Sequence, residues 1–333
     1  MTATPTNRPL LVGLALATVT LFAASLAVGP AGIGVGMVMD ALIGRGAEST
    51  RIIVIELRLP RALLATLIGG TLGLTGAVLQ GYLRNPLAEP GLIGVSAAGA
   101  FGAVMTLYTG VAASFALALP LGGIVGAAVG VIAVQVLAGR ETGSLSLILA
   151  GIAVTSFAGA LTALTLNLAP SPFAALEIVF WMMGSLADRS FAHVGLAAPF
   201  IVLGMAFLLT TGRALDALTL GEDTAATLGV NPARLRQRIV AGTAIAVGAA
   251  TAVAGAIGFV GLVVPHLLRP LTGYRPARLL PASALGGAAL TLAADIAVRL
   301  VSHHNEIKLG VVTALVGAPF FLWLVLAERR RLA

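Results

Sequence analysis

The chain contains no cysteine in 333 residues, which removes disulfides, thiolate metal sites and a cysteine nucleophile and leaves the redox compartment open. Charge is also scarce: 10% of residues are Asp, Glu, Lys or Arg, where a soluble domain carries about a quarter. Lysine is nearly missing. Of the 20 basic residues 19 are Arg, and the one lysine, Lys308, sits in EIKLG. The Gly-Lys-Ser/Thr of a P-loop is therefore excluded, and with it the nucleotide site a primary pump needs. No HExxH occurs, and the adjacent His303 and His304 have no nearby partner at zinc spacing; they are expected in a solvated loop. Ser96 in GVSAAG lacks the strand–turn–helix setting of a nucleophile elbow. Nothing in the sequence reads as catalysis, and no cofactor is expected on this chain.

What is present is apolar. Hydrophobic residues make up 58% of the chain, mean hydropathy is +1.03, and glycine numbers 41. This composition defines an all-α integral membrane protein whose helices approach closely through small side chains. The net charge of +7 would point to nucleic acid in a soluble protein. Here no basic stretch is interleaved with aromatics, so the arginines are read as anchors of membrane loops and nucleic acid is dropped.

Ten stretches have span-like composition: 10–28, 61–80, 92–108, 114–138, 145–168, 191–211, 239–256, 258–271, 279–300 and 309–327. The eighth is short and is interrupted by Pro265 and His266. The first resembles a signal peptide, with Arg8 ahead of it and FAASLA near its end, but its length is nearer that of a full span. No linker divides the chain, so 1–333 is one transmembrane unit. The loop at 167–189 contains FWMMG, a candidate interfacial helix. With ten crossings and a cytoplasmic N-terminus, thirteen basic residues fall inside and seven outside, which favours both termini in the cytoplasm. Stretches 61–80 and 238–256 both begin at arginines, are rich in Gly and Ala, and lead into proline-interrupted turns (RNPLAEP, VVPHLLRP). They would cross in opposite directions, the pattern of a weak inverted repeat.

Ionisable residues inside spans are functional candidates by default. Asp295 and Arg299, four apart in LAADIAVRL, share a helical face and are expected to pair. His266 follows Pro265, where a broken helix leaves carbonyls in need of a partner, and is expected to hydrogen-bond structurally. Glu56 and Glu177 fall at span edges rather than mid-membrane.

One stretch departs from its surroundings. LDALTLGEDTAATLGVNPARLRQR, within the polar segment 212–238, carries charges every few positions. Leu220 closes a first short helix; Glu222 and Asp223 begin a second, where they suit the helix dipole. Thr224 and Ala225 continue the second helix to Leu228, Gly229 can end it with φ > 0, and Asn231-Pro232 starts the next turn. A pair of short helices hinged at Gly221 suits docking into a groove on a partner.

With these residues on the page, the sequence resembles the membrane subunits of ATP-binding-cassette importers for ferric siderophores, haem and cobalamin. The matching segments include RLPRALLATLIGG at Arg58, GAVLQGYLRNPLAEPGLIGVSAAGA at Gly76, FWMMGSLADRSF at Phe180, GFVGLVVPHLLRPLTG at Gly258, ADIAVR at Ala294 and LGVVTALVGAPFFLWL at Leu309. The resemblance runs from about residue 57 to the C-terminus. It implies ten helices per subunit and a two-fold homodimer in a bacterial inner membrane. Two ATPase subunits, which hold ATP and Mg, would sit below, with a substrate-binding protein outside. It implies that LGEDTAATLGV docks into the ATPase groove, with Leu220, Gly221, Glu222, Asp223, Thr224, Ala225, Leu228 and Gly229 as the coupling residues. Arg58, Arg61 and Arg299 would then face acidic residues of the binding protein. Asn85 and Leu87 would lie near the cytoplasmic closure of the pathway. Two departures, NEIKLG before the last helix and GYRPAR after the VVPH turn, bear on which chelate is carried. The rival reading is a secondary transporter working alone on an ion gradient, and the scarcity of mid-membrane acids counts against it.

Overall fold

The computed structural model describes residues 8–115, 117–139, 144–301 and 307–332. His303 and His304 lie outside the described residues, as do Asn305 and Arg140. Among the described residues there is no strand. The first half of the chain forms α1 (Arg8–Ala27), α2 (Val35–Leu42), α3 (Glu48–Tyr82), α4 (Val95–Tyr108), α5 (Ala118–Ala138) and α6 (Ser144–Asn167). The second half forms α7 (Pro172–Met182), α8 (Phe191–Leu209), α9 (Gly212–Leu218), α10 (Glu222–Thr227), α11 (Pro232–Ala254), α12 (Val260–Leu268), α13 (Pro276–Val301) and α14 (Leu309–Leu332).

Eight of these (α1, α3, α5, α6, α8, α11, α13 and α14) are long and apolar enough to cross a membrane. The other two expected spans are shorter. Helix α4 has 14 residues, about 21 Å at 1.5 Å per residue, because a separate turn at Pro90–Ile93 and a left-handed Gly94 precede it. Helix α12 has nine, and the reason differs from the expected proline break. Gly255 (φ 72°) and Phe259 (φ 65°) end α11 and start α12, and Pro265 lies inside α12. The candidate interfacial helix is α7, whose start is capped by Ser171 accepting from the Ala174 amide at 3.2 Å.

Helix α3 begins thirteen residues before the expected Arg61. Its turns over Ile52–Arg58 are wound as a π-helix, with the Leu59 amide reaching the Val54 carbonyl. Pro60 explains the widening: it has no N–H for the Glu56 carbonyl, and its ring crowds that oxygen.

The two stretches that resembled each other, now α3 and α11, both lie at the centre of the bundle. Of their apolar stretches 83% and 78% are buried, against 17–39% for the other six spans. Helix α3 packs on α13, α8 and α12, and α11 on α8, α5 and α4. Glycine sets the closeness of the α3 contacts. A Cβ on Gly73 would fall on the Ser283 carbonyl of α13, and one on Gly76 would fall on the Gly261 carbonyl of α12. Because Pro265 has no N–H, the Gly261 carbonyl has no helical partner four residues on. Gln80 on α3 donates to it from Nε2 at 3.2 Å and accepts from Arg269 through Oε1. The freed carbonyl is therefore satisfied by Gln80 and not by His266, whose ring instead meets Phe320 edge-on at 5.6 Å.

Candidate functional site

The bundle has two chemically distinct ends. At one lie α9 and α10, the last turn of α3 and the start of α13. Leu215 and Leu218 of α9 are buried, and Asp216 fastens α9 to α13. Its Oδ1 accepts from the Ala277 amide at 2.8 Å, capping α13, and its Oδ2 pairs with Arg275 at 3.2 Å. Gly221 then turns the chain with φ 107° and ψ 157°, a conformation that side chains rarely adopt. Glu222 and Asp223 form the first turn of α10, where the dipole favours them. Gly229 (φ 85°) ends it: its amide reaches the Ala226 carbonyl and the Val230 amide reaches that of Ala225. This is a Schellman closure. Asn231 accepts from the Arg234 amide at 3.0 Å and opens α11.

Helix α10 buries one residue, Ala225, and exposes the rest. Leu220 and Leu228, at its two edges, are 64% and 63% exposed. Two bare leucines flanking small and acidic residues make a compact apolar-and-acidic knob. Glu222 also pairs with Arg84 at 3.4 Å, so α10 touches the loop between α3 and α4.

That loop is RNPLAEPG. Arg84 has φ 47°, and Asn85 Oδ1 accepts from the Leu87 amide at 2.9 Å while its carbonyl accepts from the Ala88 amide. The exposed Asn85 thus spends its side chain shaping its own turn, and Leu87 is half-buried. The more enclosed polar group of this loop is Glu89. Burial raises its carboxyl above the ordinary carboxylate value, while a hydrogen bond from the Phe259 amide acts the other way.

At the opposite end, the expected row of outward-facing arginines is not found. Arg58 is 6% exposed and donates through Nη1 to the carbonyls of Leu26 and Ala27, both at 2.8 Å. Arg299 is 8% exposed at its side chain; it donates to the Ser25 and Val28 carbonyls at 2.8 and 2.9 Å and to the Ser25 hydroxyl. Arg61, 19% exposed, grips Asp295 through Nε (2.9 Å) and Nη2 (2.9 Å). The expected Asp295–Arg299 pair forms at 3.0 Å, and Asp295 is fully buried between the two guanidiniums. The physical reason for this burial is the C-terminus of α1. Its last carbonyls have no helical partners, and Arg58 and Arg299 supply them with donors. Guanidiniums held in this way tie α1, α3 and α13 together.

Sequence reasoning missed Asp216, Arg84, Gln80, Ser25 and Glu89. Asp216 pairs across about 60 positions and Gln80 across 181, and no local spacing marks either. Among the described residues no cluster of three or more His, Asp or Glu is placed to hold a metal ion.

Eight long apolar helices, two of them enclosed by the other six, with a short helix pair at one end, make a multi-pass membrane fold. The FecCD transport family matches residues 16–327, and the chain belongs to that family. It is 38% identical over 283 residues to an uncharacterised ABC transporter permease, YvrB, of Bacillus subtilis, covering 84% of this chain and 80% of that one. It is 40% identical to the cobalamin import permease BtuC of Halobacterium salinarum (84% and 74% covered). It is 38% identical to the hemin transport permease HmuU of Yersinia pestis (83% and 84%). Among solved structures it matches a chain assigned to a metal-chelate type ABC transporter in an inward-facing conformation. That match has a TM-score of 0.85, 32% identity, and 96% and 99% coverage. Members of the family are transport permeases of ABC importers rather than enzymes, and such importers work with separate ATPase and substrate-binding proteins.

Proposed function

We propose that two copies of this chain enclose the import pathway of a metal chelate of the siderophore, haem or cobalamin kind. Hydrolysis of ATP on two separate ATPase subunits would drive transport, and α10 would carry their movement to the pathway. The observation that supports the coupling role is the construction of α10. It presents Leu220 and Leu228 to solvent, is held by one buried residue, and touches the α3–α4 loop through Glu222 and Arg84. A push on α10 therefore has two ways into the bundle: through that loop, and through α9 and Asp216 to α13. This end faces the cytoplasm in the proposal, with both termini, in a bacterial inner membrane. The binding protein approaches the other end, where Arg58, Arg61 and Arg299 hold α1, α3 and α13 in register, and the partly exposed Arg61 is the one best placed to meet it. Asn85 and Leu87 act at the cytoplasmic closure through the shape of their turn. ATP and Mg stay on the partner chains.

The test is assembly and transport in proteoliposomes with purified ATPase and binding protein. Gly221→Trp and the reversal Glu222→Lys with Asp223→Lys leave every span untouched, so both variants should insert normally. Open space surrounds Gly221, so the tryptophan acts by straining φ and by blocking the groove. Expected are loss of ATPase pull-down or hydrolysis without transport. Normal assembly and normal transport per ATP in both variants would remove α10 from the coupling route. Transport by this chain alone on an ion gradient would favour the secondary-carrier reading. Affinities of the cognate binding protein for a ferric siderophore, haem and cobalamin identify the chelate.

A further inference from the structure

Beside α10 lies a cavity of about 500 Å³ that shares Leu228 and Gly229 with the coupling segment but whose basic side chains the coupling role does not use. It is lined by Arg213, Arg234 and Arg238, with Thr210, Thr211 and Asn231 among the remaining polar groups, and its lining holds no acid. Among the described residues none of the three guanidiniums is in an ion pair. All three sit at the ends of membrane spans. Arg213 follows the apolar span α8 by four residues, and Arg234 and Arg238 precede the apolar part of α11.

A second cavity, about 330 Å³ and almost wholly apolar, is lined by α5, α8 and α11. Positions 234, 238, 241, 245 and 248 recur at three- and four-residue steps, so they share one face of α11. Arg234 and Arg238 line the basic cavity, and Ala241, Ile245 and Gly248 line the apolar one. On α8 the same steps run from Phe200, at the apolar cavity, through the exposed Leu203 and Phe207 to Thr210, at the basic one. The basic pocket, at the helix end, and the apolar groove thus lie one after the other along the same face of α11 and along α8.

We infer that this pair of cavities binds one anionic phospholipid, its phosphate held by Arg213, Arg234 and Arg238 and an acyl chain lying in the groove between α5, α8 and α11. Guanidinium groups suit phosphate because their fixed donors match its oxygens, and basic pockets between helices at the cytoplasmic side of a membrane recognise anionic headgroups. An acidic protein surface would satisfy the arginines as well, but it would leave the apolar groove unexplained. The lipid bridges the chain on both sides of α10, from Arg213 ahead of it to Arg234 and Arg238 after it.

The test uses the full chain in nanodiscs of phosphatidylcholine with or without phosphatidylglycerol, read by native mass spectrometry and thermal midpoint. One phosphatidylglycerol should be retained per chain and should raise the midpoint. The triple change Arg213→Gln, Arg234→Gln, Arg238→Gln should abolish both effects, with roughly five-fold weaker retention for each charge removed. The corresponding lysine triple should keep most of the binding, and it guards against misfolding of the glutamine variant. Ala241→Trp, which fills the groove, should weaken lipid retention with the arginines intact. Three results would overturn the inference: equal retention by the glutamine triple, the same stabilisation by inorganic phosphate alone, or arginine-dependent binding of the purified ATPase in pure phosphatidylcholine with no lipid retained.

Discussion

Asp295 is the group on which the outer end of the bundle depends, and its removal makes a quantitative prediction. The carboxylate is fully buried and is shared by Arg61 (2.9 Å) and Arg299 (3.0 Å). Breaking a buried ion pair by deleting one partner costs about 3–5 kcal/mol, because the other charge is left uncompensated. Two features place Asp295→Ala at the lower end of that range. Arg61 is 19% exposed and can recover water, and Arg299 keeps the Ser25 and Val28 carbonyls. The expected loss is therefore about 3 kcal/mol. Asp295→Asn keeps one carbonyl acceptor but leaves both guanidiniums uncompensated, so its loss should approach that of Asp295→Ala. Pairing Asp295→Leu with Arg299→Met removes both charges and should cost clearly less than the sum of the two single changes, with a coupling on the order of 1–3 kcal/mol. The assay is reversible denaturant unfolding in a fixed detergent, followed by helical circular dichroism, for the two singles and the double. A loss below about 1 kcal/mol for Asp295→Ala, or strict additivity in the cycle, would show that the cluster does not hold α1, α3 and α13 together.

Other outcomes follow from the same geometry. Gly76→Ala should destabilise by about 1–3 kcal/mol, because its Cβ meets the Gly261 backbone; Gly159→Ala, with open space around it, should be neutral or slightly stabilising. Thermal midpoints of the two variants check this directly. Asp216→Ala should lose the α13 cap, about 1 kcal/mol, and loosen α9, whereas Asp216→Asn should keep the bond from the Ala277 amide; differential hydrogen exchange at 277–280 would report it. For Glu89 the sign follows from burial, which raises the folded-state value above the unfolded one, so the folded chain binds the extra proton. Its contribution is complete below the ordinary carboxylate value and is lost as pH rises through the raised one. The gain in midpoint from Glu89→Gln should therefore grow across that window and be level above it. A pH-independent difference between the two proteins would mean that Glu89 is solvated.

The sequence by itself determined whatever depends on composition and short-range chemistry. Continuous apolar runs have one stable form in hydrocarbon, because only a helix satisfies its own backbone there. The eight long helices were therefore legible, as was the i, i+4 pair of Asp295 and Arg299. Local turn chemistry was equally readable. A positive-φ Gly229, an Asn231-Pro232 helix start and acids at the head of α10 all appear where their residue types put them.

What only the tertiary structure decided involves partners far apart in the chain. Arg58 and Arg299 looked like surface charges because nothing local says where a positive side chain finds acceptors. The answer was the unsatisfied end of α1, 31 and 271 positions away. Pro265 announced a freed carbonyl, but only packing through Gly76 brought Gln80 to it, where the adjacent His266 had been expected. The basic cavity and its apolar groove belong to the same class. Arg213 and Arg238 are 25 positions apart in sequence, and they line one cavity because α8 and α11 pack against each other. In a membrane bundle the pattern of apolar residues decides that helices form, while close glycine contacts and the need to satisfy buried polar groups decide which helices meet.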